Sequence, residues 1–556
     1  MKKNYIAITI GPIYDTIRFA SKPASMWLAS YMFSYISKRI CDEIENRISK
    51  NKIVSPSING DISSGIGLFH DRIIFESENL TDDMDIVQNI FVSIKKEIAE
   101  LFALEKDKQS KDAHIVKTAP AIEWFQRYLQ LHAVAFSSDK SPLIACSPYL
   151  DAIELRRAFP VPTAKNPIWT VLDADDNKLV KQIILNLKKD GIKSQSNEKL
   201  FQLKSWPLSL EIKSDMDIPD METIIGMNAE KIRSKEAERL PKKAYSYYAI
   251  VQSDGDRFGN YISNETDKLI KDEKSSVKNY SDAARSISEK CLTFCKEASK
   301  IVQDYGGVTI YAGGDDLLFI APLWELPNEE KSPRRNILQL LDEIKSKFCE
   351  EAIFGKNGIP TISFGVAIRY YKYPLYEAFD EAYDQLFHKA KENRNSLALS
   401  LRKHSGQSAE FVINNFSDNS NDTVCKKIFT MLTENDSNDF LKSTSYKLIQ
   451  FQHLLIEALK HDEKTVKNVF ANIFDSDIHK KYETKLNSVR ELFQAMYKNA
   501  FASKKDEKDE KNINTSLKSF LHEFDSVLRL IKFFSETGME EENEIEESGG
   551  ENAAEN

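Results

Sequence analysis

"GVTIYAGGDDLLFIAPL" (residues 307–323) sets two short strand-forming runs, 308–311 and 317–320, on either side of Gly313, Gly314, Asp315 and Asp316. A tight turn between two buried strands needs glycine, because glycine takes positive φ without strain. It has no need of aspartate twice. One Asp suits turn chemistry, but a second beside it is repelled by the first unless a cation neutralises both. The stretch therefore reads as a β-hairpin whose tip is built to hold a cation.

Upstream, "YSYYAIVQ" runs into "SDGDRFGN" and puts Asp254, Gly255 and Asp256 at the end of another strand. A polar stretch at 263–280 leads to an expected helix over 283–302, where Ile287, Cys291, Phe294, Ala298 and Ile301 recur at helical spacing. After the hairpin come a helix carrying Ile337, Leu341, Ile344 and Phe348, a strand at 361–368, a helix at 375–393 and a strand at 396–401. The order β-α-β-β-α-β-α-β is that of a ferredoxin-like core with one extra helix–strand unit. In such a core the first strand lies beside the hairpin. Asp254, Asp256, Asp315 and Asp316 then converge from separate elements, a costly grouping unless divalent metal neutralises it.

Mg2+ or Mn2+ suits the site, since it takes one or two carboxylates and completes its shell with waters and phosphates. Two such ions support nucleotidyl transfer with pyrophosphate as the leaving group. Asp315 and Asp316 are the expected catalytic pair, and Asp254 completes the metal set. Asp256 is expected beside the nucleotide. Lys389, Lys391 and Arg394 close the last helix of this core. Lys389 reads as a solvated cation at a helix C-terminus, whereas Lys391 and Arg394 are expected to clamp a triphosphate.

The N-terminal region repeats the pattern more weakly. A strand is expected at 5–10, a helix after Pro23, a strand at 66–75 and a helix bearing Val87, Ile90, Phe91, Ile94 and Ile98, but no acidic hairpin. The fold class is α+β: two ferredoxin-like domains plus helical domains. Expected boundaries are 1–115 for the first such domain, 116–240 for a mixed or helical domain, and 241–405 for the domain with the GGDD hairpin. A C-terminal helical domain follows at 406–535, with a charged linker at 503–512, and then a disordered acidic tail at 536–556.

The chain has 556 residues, 41% hydrophobic and 29% charged, which is ordinary soluble composition. No apolar stretch reaches membrane-spanning length, and the short run before Gly11-Pro12 reads as a strand rather than a signal peptide, so the expected location is the cytoplasm. The net charge of −9 is matched by the tail, whose nine glutamates face no Lys or Arg. Bulk charge therefore gives no support for nucleic-acid binding. None of the six cysteines forms a CxxC pair, and no zinc site is expected. Cys291 and Cys295 read as buried core thiols.

These residues are similar to nucleotide cyclase palms of the GGDEF type, whose last helix ends in a pattern like Ala390-Lys391…Arg394-Asn395. The chain more closely resembles the large palm-containing subunit of type III-B CRISPR–Cas effector complexes. "ITIGPIYDTIRFASKPASMWLASYMFSYI" (8–36) looks like that family's opening strand and helix, while "SDGDRFGNYIS" and "YAGGDDLLFIAP" match its second palm. "AIRYYKYPLYEAFDEAYDQLFHKAKENRNSLALSL" matches the segment after it. The resemblance implies two palms and two helical domains assembled with partner subunits, guide RNA and target RNA, away from membranes. It implies RNA-activated conversion of ATP into a second messenger, commonly cyclic oligoadenylate. Asp254, Asp315 and Asp316 would hold the metals, and Gly313 and Gly314 would let phosphates approach the backbone.

The chain departs from that pattern at three places. Many relatives begin with an HD nuclease domain, but here the first palm starts within ten residues, and His461-Asp462 reads as surface, so no DNase activity is expected. The cysteine-ligated zinc insertion is missing. "GPIY" replaces the usual Gly-Pro-Val-Gln start, which leaves open conjugation of ATP to S-adenosylmethionine at the same site. A non-catalytic scaffold is the competing reading, and a free-standing diguanylate cyclase is disfavoured by the duplicated palm.

Overall fold

The computed structural model describes residues 2–155 and 247–538, apart from 19, 21–22, 59–65, 103, 107–114, 118, 273–275, 326–334, 356–359, 417–423, 434–437, 462, 475–481 and 502–509. Most of the expected 116–240 domain, most of the 503–512 linker and the tail beyond residue 538 lie outside the described residues.

The first sheet begins with β1 (Lys3–Gly11), whose residues from Tyr5 to Ile10 are buried. It continues through α1 (Ile13–Arg18) and α2 (Pro23–Arg47) to β2 (Ile53–Ser55) and β3 (Arg72–Ser77). Helix α3 (Leu80–Phe102) buries Val87, Ile90, Phe91, Ile94 and Ile98, the stripe expected from their spacing. A two-stranded ribbon, β4 (Leu104–Lys106) and β5 (Ile115–Lys117), precedes α4 (Ala119–Tyr128), β6 (Gln130–Ser138) and α5 (Pro142–Glu154). The sheet order is β2-β3-β1-β6, with every pairing antiparallel.

Two expectations change here. β6 pairs with β1 over its whole length, so the first sheet takes a strand from beyond the boundary placed at 115. The expected strand at 66–75 is a strand only from Arg72, because its first half is used elsewhere. Gly67 accepts a hydrogen bond from Ala312 N at 3.2 Å, and the Ser34 hydroxyl accepts one from Phe69 N at 2.9 Å. The apolar residues there seal one unit against the next instead of pairing.

The second sheet starts with β7 (Tyr247–Asp256), buried at every residue but Asp254. The stretch that looked polar contains α6 (Phe258–Lys271); little of it is buried beyond Tyr261 and Thr266, which hid its apolar stripe. Helix α7 (Tyr280–Tyr305) is capped by Asn279, whose side chain accepts from Ser281 N and Asp282 N. Then come β8 (Val308–Gly313), β9 (Asp316–Pro322), α8 (Ile337–Phe348) and β10 (Thr361–Tyr370). Helix α9 (Leu375–Asp384) runs on as a π-helical segment, Gln385–Ala390, and a last turn, Lys391–Asn393. β11 (Ser396–Arg402) pairs parallel to β10, and β12 (Ser408–Asn414) closes the edge.

The order is β12-β11-β10-β7-β9-β8, a ferredoxin-like core with the expected extra helix–strand unit. β12 lies past the boundary placed at 405 and in a region expected to be helical. Its alternation of buried Ala409, Phe411 and Ile413 with more exposed neighbours is that of an edge strand. Helices α10 (Val424–Thr433), α11 (Asn438–Gln450), α12 (Gln452–His461), α13 (Glu463–Ile473), α14 (Glu483–Phe501) and α15 (Glu510–Gly538) follow among the described residues, with α15 packed on β12.

One continuous apolar core runs through both sheets and these helices. Polar contacts join the two sheet units as well: Tyr5 and Ser281 hydroxyls meet at 2.9 Å, Arg285 donates to Ile53 O at 3.0 Å, and Arg18 pairs with Asp380 at 2.7 Å. Among the described residues no helix is long and apolar enough to cross a membrane.

Candidate metal and nucleotide site

β8 and β9 pair Gly313 with Asp316, so Gly314 and Asp315 form a two-residue turn. Gly314 has φ of 70°, and only glycine holds that conformation cheaply at the first position of such a turn. Asp315 then stands at the tip and Asp316 opens β9. β9 is hydrogen-bonded to β7, and one step beyond their last pair, Ser253 with Leu317, lies Asp254. Sheet pairing alone thus gathers the three carboxylates. Ligand oxygens of Asp254, Asp315 and Asp316 lie within 4.8 Å of one another, the one such group found among the described residues.

Bare, this cluster is electrostatically strained. Burial, and then the Asp254 carboxylate, push Asp315 up to about 7. Asp316 is pushed well above the usual carboxylate range by burial, by Asp254 and by Asp315. A hard, oxygen-seeking dication relieves that cost, and three half-buried carboxylate oxygens at this spacing are suitable donors for one. Gly255 makes the approach feasible, since a Cβ there would stand 2.5 Å from the Asp315 carboxylate. Under the turn, Cys291 and Cys295 of α7 are buried, as expected of core thiols, and Cys295 Sγ donates to Gly314 O at 3.5 Å.

The remaining expected residues divide. Asp256 is 2% exposed, and both its oxygens are engaged. It accepts from Thr361 Oγ1 at 2.7 Å, Ser363 Oγ at 2.9 Å, Asn395 N at 2.7 Å and Lys391 Nζ at 3.0 Å. It ties β7 to β10 and to the end of the last helix. Lys391 also donates to Asp254 O at 2.8 Å and Gly255 O at 3.0 Å, and pairs with the Asp254 carboxylate. The end of α9 and the π-helical segment before Lys391 pack so tightly on β10 that any side chain at Gly365 would strike Ala382 O and Leu386 N. Arg394 is exposed and has a φ of 58°, and its side chain has no partner among the described residues. Lys389 pairs with Glu410 at the surface.

A cavity of about 730 Å3 opens beside the cluster, between the two sheets. From the second sheet Gln252, Ser253, Tyr311 and Asp316 line it; from the first sheet and the helices and loop around it come Tyr14, Asp15, Asp71, Arg127, His132 and Glu154. Ser253 Oγ is buried and has no hydrogen-bond partner among the described residues. Asp71 is raised to about 6, by burial and then by Glu154. Sequence reasoning passed over Asp71 and Ser253, whose placement emerges only from strand pairing.

Two family models match the chain: the N-terminal domain of the CRISPR-associated protein Cmr2 over residues 5–103, and the second palm domain of Cas10/Cmr2 over residues 247–398. A curated relative, the CRISPR system Cmr subunit Cmr2 of Pyrococcus furiosus, is 32% identical over 228 residues, which span 37% of this chain and 24% of that protein. The type III-B Cmr-beta structure in its apo state contains a chain that matches with a TM-score of 0.54 at 11% identity, over 85% of this chain and 77% of that one. A chain of the Csm1-Csm4 subcomplex from the type III-A Csm interference complex matches with a TM-score of 0.51 at 13% identity, over 96% and 70%. At those identities the likeness is one of fold. Residues 5–103 and 247–398 are thus similar to the Cmr2 N-terminal domain and the Cas10/Cmr2 second palm domain.

Proposed function

We propose that the chain is the nucleotidyltransferase subunit of a type III-B effector complex, working with partner subunits, guide RNA and target RNA and using ATP. The observation that carries this reading is the convergence of Asp254, Asp315 and Asp316 beside a cavity large enough for a nucleotide. These three carboxylates would hold Mg2+ or Mn2+, which when bound would neutralise the triphosphate and polarise the attacking hydroxyl. The hydroxyl oxygen attacks the ATP α-phosphorus, the bond to the β-phosphate breaks, and pyrophosphate leaves. The Gly313–Gly314 backbone and the free guanidinium of Arg394 stand at the same end of the sheet to receive phosphates. With a second ATP as acceptor each transfer lengthens a linear oligoadenylate, and when its terminal hydroxyl attacks the α-phosphorus of its own 5′-triphosphate, a last pyrophosphate leaves and the product is a cyclic oligoadenylate.

A second acceptor is favoured by one observation. The far wall of the cavity carries Asp15, Asp71 and Glu154 against Arg127 and the Arg72 that pairs with Glu154, an acidic excess that a second triphosphate there would meet as like charge. S-adenosylmethionine, which is cationic, would not. Mass spectrometry of the assembled complex separates these readings, given ATP, Mn2+ and target RNA, with and without S-adenosylmethionine. Masses at multiples of AMP mean cyclic oligoadenylate. An adduct that needs both substrates means conjugation. No product from a complex that binds target RNA means a scaffold.

A further inference from the structure

Lys391 occupies an unusual place for a triphosphate clamp. Its ammonium lies inside the acidic cluster, with four acceptors around it: Asp254 O at 2.8 Å, Gly255 O at 3.0 Å, Asp256 Oδ1 at 3.0 Å and the Asp254 carboxylate. An ammonium has three protons. One acceptor is therefore surplus, and the Asp254 carboxylate is the one that also belongs to the triad. If Asp254 turns away, Lys391 keeps a partner for every proton. If Lys391 itself leaves for a phosphate, it abandons two strand-end carbonyls and Asp256, whose side chain is 1% exposed.

We infer that Lys391 is a built-in counter-ion for the triad. It stays fixed at the end of β7, holds the Asp254 carboxylate while the site is empty of metal, and yields it to an incoming divalent cation. It is a positioning residue, and Arg394 is left as the basic residue for the triphosphate. This rests on the reading of the triad as a metal site. The role also accounts for the local construction: the π-helical segment and the close contact at Gly365 deliver Lys391 to the strand end, where Asp256 fixes it.

The consequence is competition. A cation parked on Asp254 opposes a second cation, so removing its charge tightens metal binding even with no nucleotide present. Mn2+ is titrated calorimetrically into the nucleotide-free full chain, comparing wild type, Lys391→Met, Lys391→Gln and Asp315→Ala. Gln keeps a donor for the strand-end carbonyls without the charge, and it carries the test if the Met variant does not fold. Both Lys391 variants are expected to bind Mn2+ about tenfold or more tightly than wild type, since charges a few ångströms apart interact by more than that even at intermediate dielectric. ATP affinity at saturating Mn2+ is expected to change less than about threefold. Mn2+ binding that is unchanged or weaker in both variants overturns the proposal, and lost ATP affinity with unchanged Mn2+ binding restores Lys391 as the clamp. Absence of Mn2+ binding from folded wild type and variants alike overturns the metal reading itself. Mn2+ bound by wild type, lost in Asp315→Ala and not tightened in the Lys391 variants sinks the counter-ion role alone.

Discussion

The order β2-β3-β1-β6 of the first sheet matches β8-β9-β7-β10 of the second, and the central strands β1 and β7 pair with their two neighbours in the same register, whereas the irregularity in the outer pair falls one step apart. Ile8 faces Ile73 as Gln252 faces Leu318, and Gly11 faces Gln130 as Gly255 faces Ile362. One step beyond the last pairs, Ile10 stands where Asp254 does and Asp71 where Asp316 does. His70 takes the place of Asp315, and Pro12 that of Asp256. The first palm retains one carboxylate of three, has a 16-residue connection where the second has a two-residue turn, and among the described residues has no strand beyond β6 in its sheet. A similar scaffold thus lies on both sides of one cavity, with the three-carboxylate cluster on the side of the second sheet.

Replacing Asp315 and Asp316 by Ala should give the largest effect, a loss of product of about a thousandfold or more, because the whole metal contribution goes with them. Complex assembly, followed by co-purification and size-exclusion chromatography, should be intact. Product formation unchanged in that variant would break the asymmetry at its root. The mirror substitution, Asp71→Ala, should lower product less than about tenfold, since a lone carboxylate does not make a divalent site.

The matched glycines give a sharper pair. At Gly255 a Cβ would crowd the Asp315 oxygen at 2.5 Å and its Cβ at 3.0 Å, whereas at Gly11 nothing lies within 4 Å. Gly255→Ala should destabilise the chain by about 1–3 kcal/mol in urea melts and displace Asp315, with loss of product. Gly11→Ala should stay within about 0.5 kcal/mol of wild type. Equal costs at both sites would mean that the close approach is not special to the second palm.

The same comparison explains what could be read from the sequence. The second palm was legible because its helices carry long apolar periods and its turn carries glycines that only a hairpin requires. The triad followed from chemistry: carboxylates at the ends of adjacent strands. What escaped depends on contacts between residues far apart. That β6 completes the first sheet is a matter of which edge of β1 is open, and no local pattern records it. The contacts that hold Lys391 could not be read because its partners lie more than 130 residues away, and Asp71 looked like an ordinary residue before a strand. The stretch 66–71 and helix α6 failed for the opposite reason. In the first, apolar residues serve an inter-domain seam; in the second, too few apolar residues mark the buried face.

The smallest expected effects concern protons. Asp315, raised to about 7 from 3.8, binds its proton more tightly in the folded chain than in the unfolded one. Its contribution to stability is therefore fully present below about pH 4 and is lost as pH rises towards 7. Asp315→Asn removes that loss, so the melting temperature of the metal-free variant should exceed that of wild type by a margin that grows between pH 4 and 7 and then levels, reaching about 2–4 °C. Added Mn2+ should erase the margin, because the ion stabilises only the ionised cluster. Asp71→Asn should behave in miniature. Its margin should level near pH 6, the value to which burial and Glu154 raise Asp71, and should amount to about 1–2 °C. Mn2+ should leave it untouched, since Asp71 has no partner carboxylates in the places of Asp254 and Asp315. If Mn2+ erased both margins alike, the first palm would hold a metal as well, and the division of labour between the two sheets would have to be redrawn.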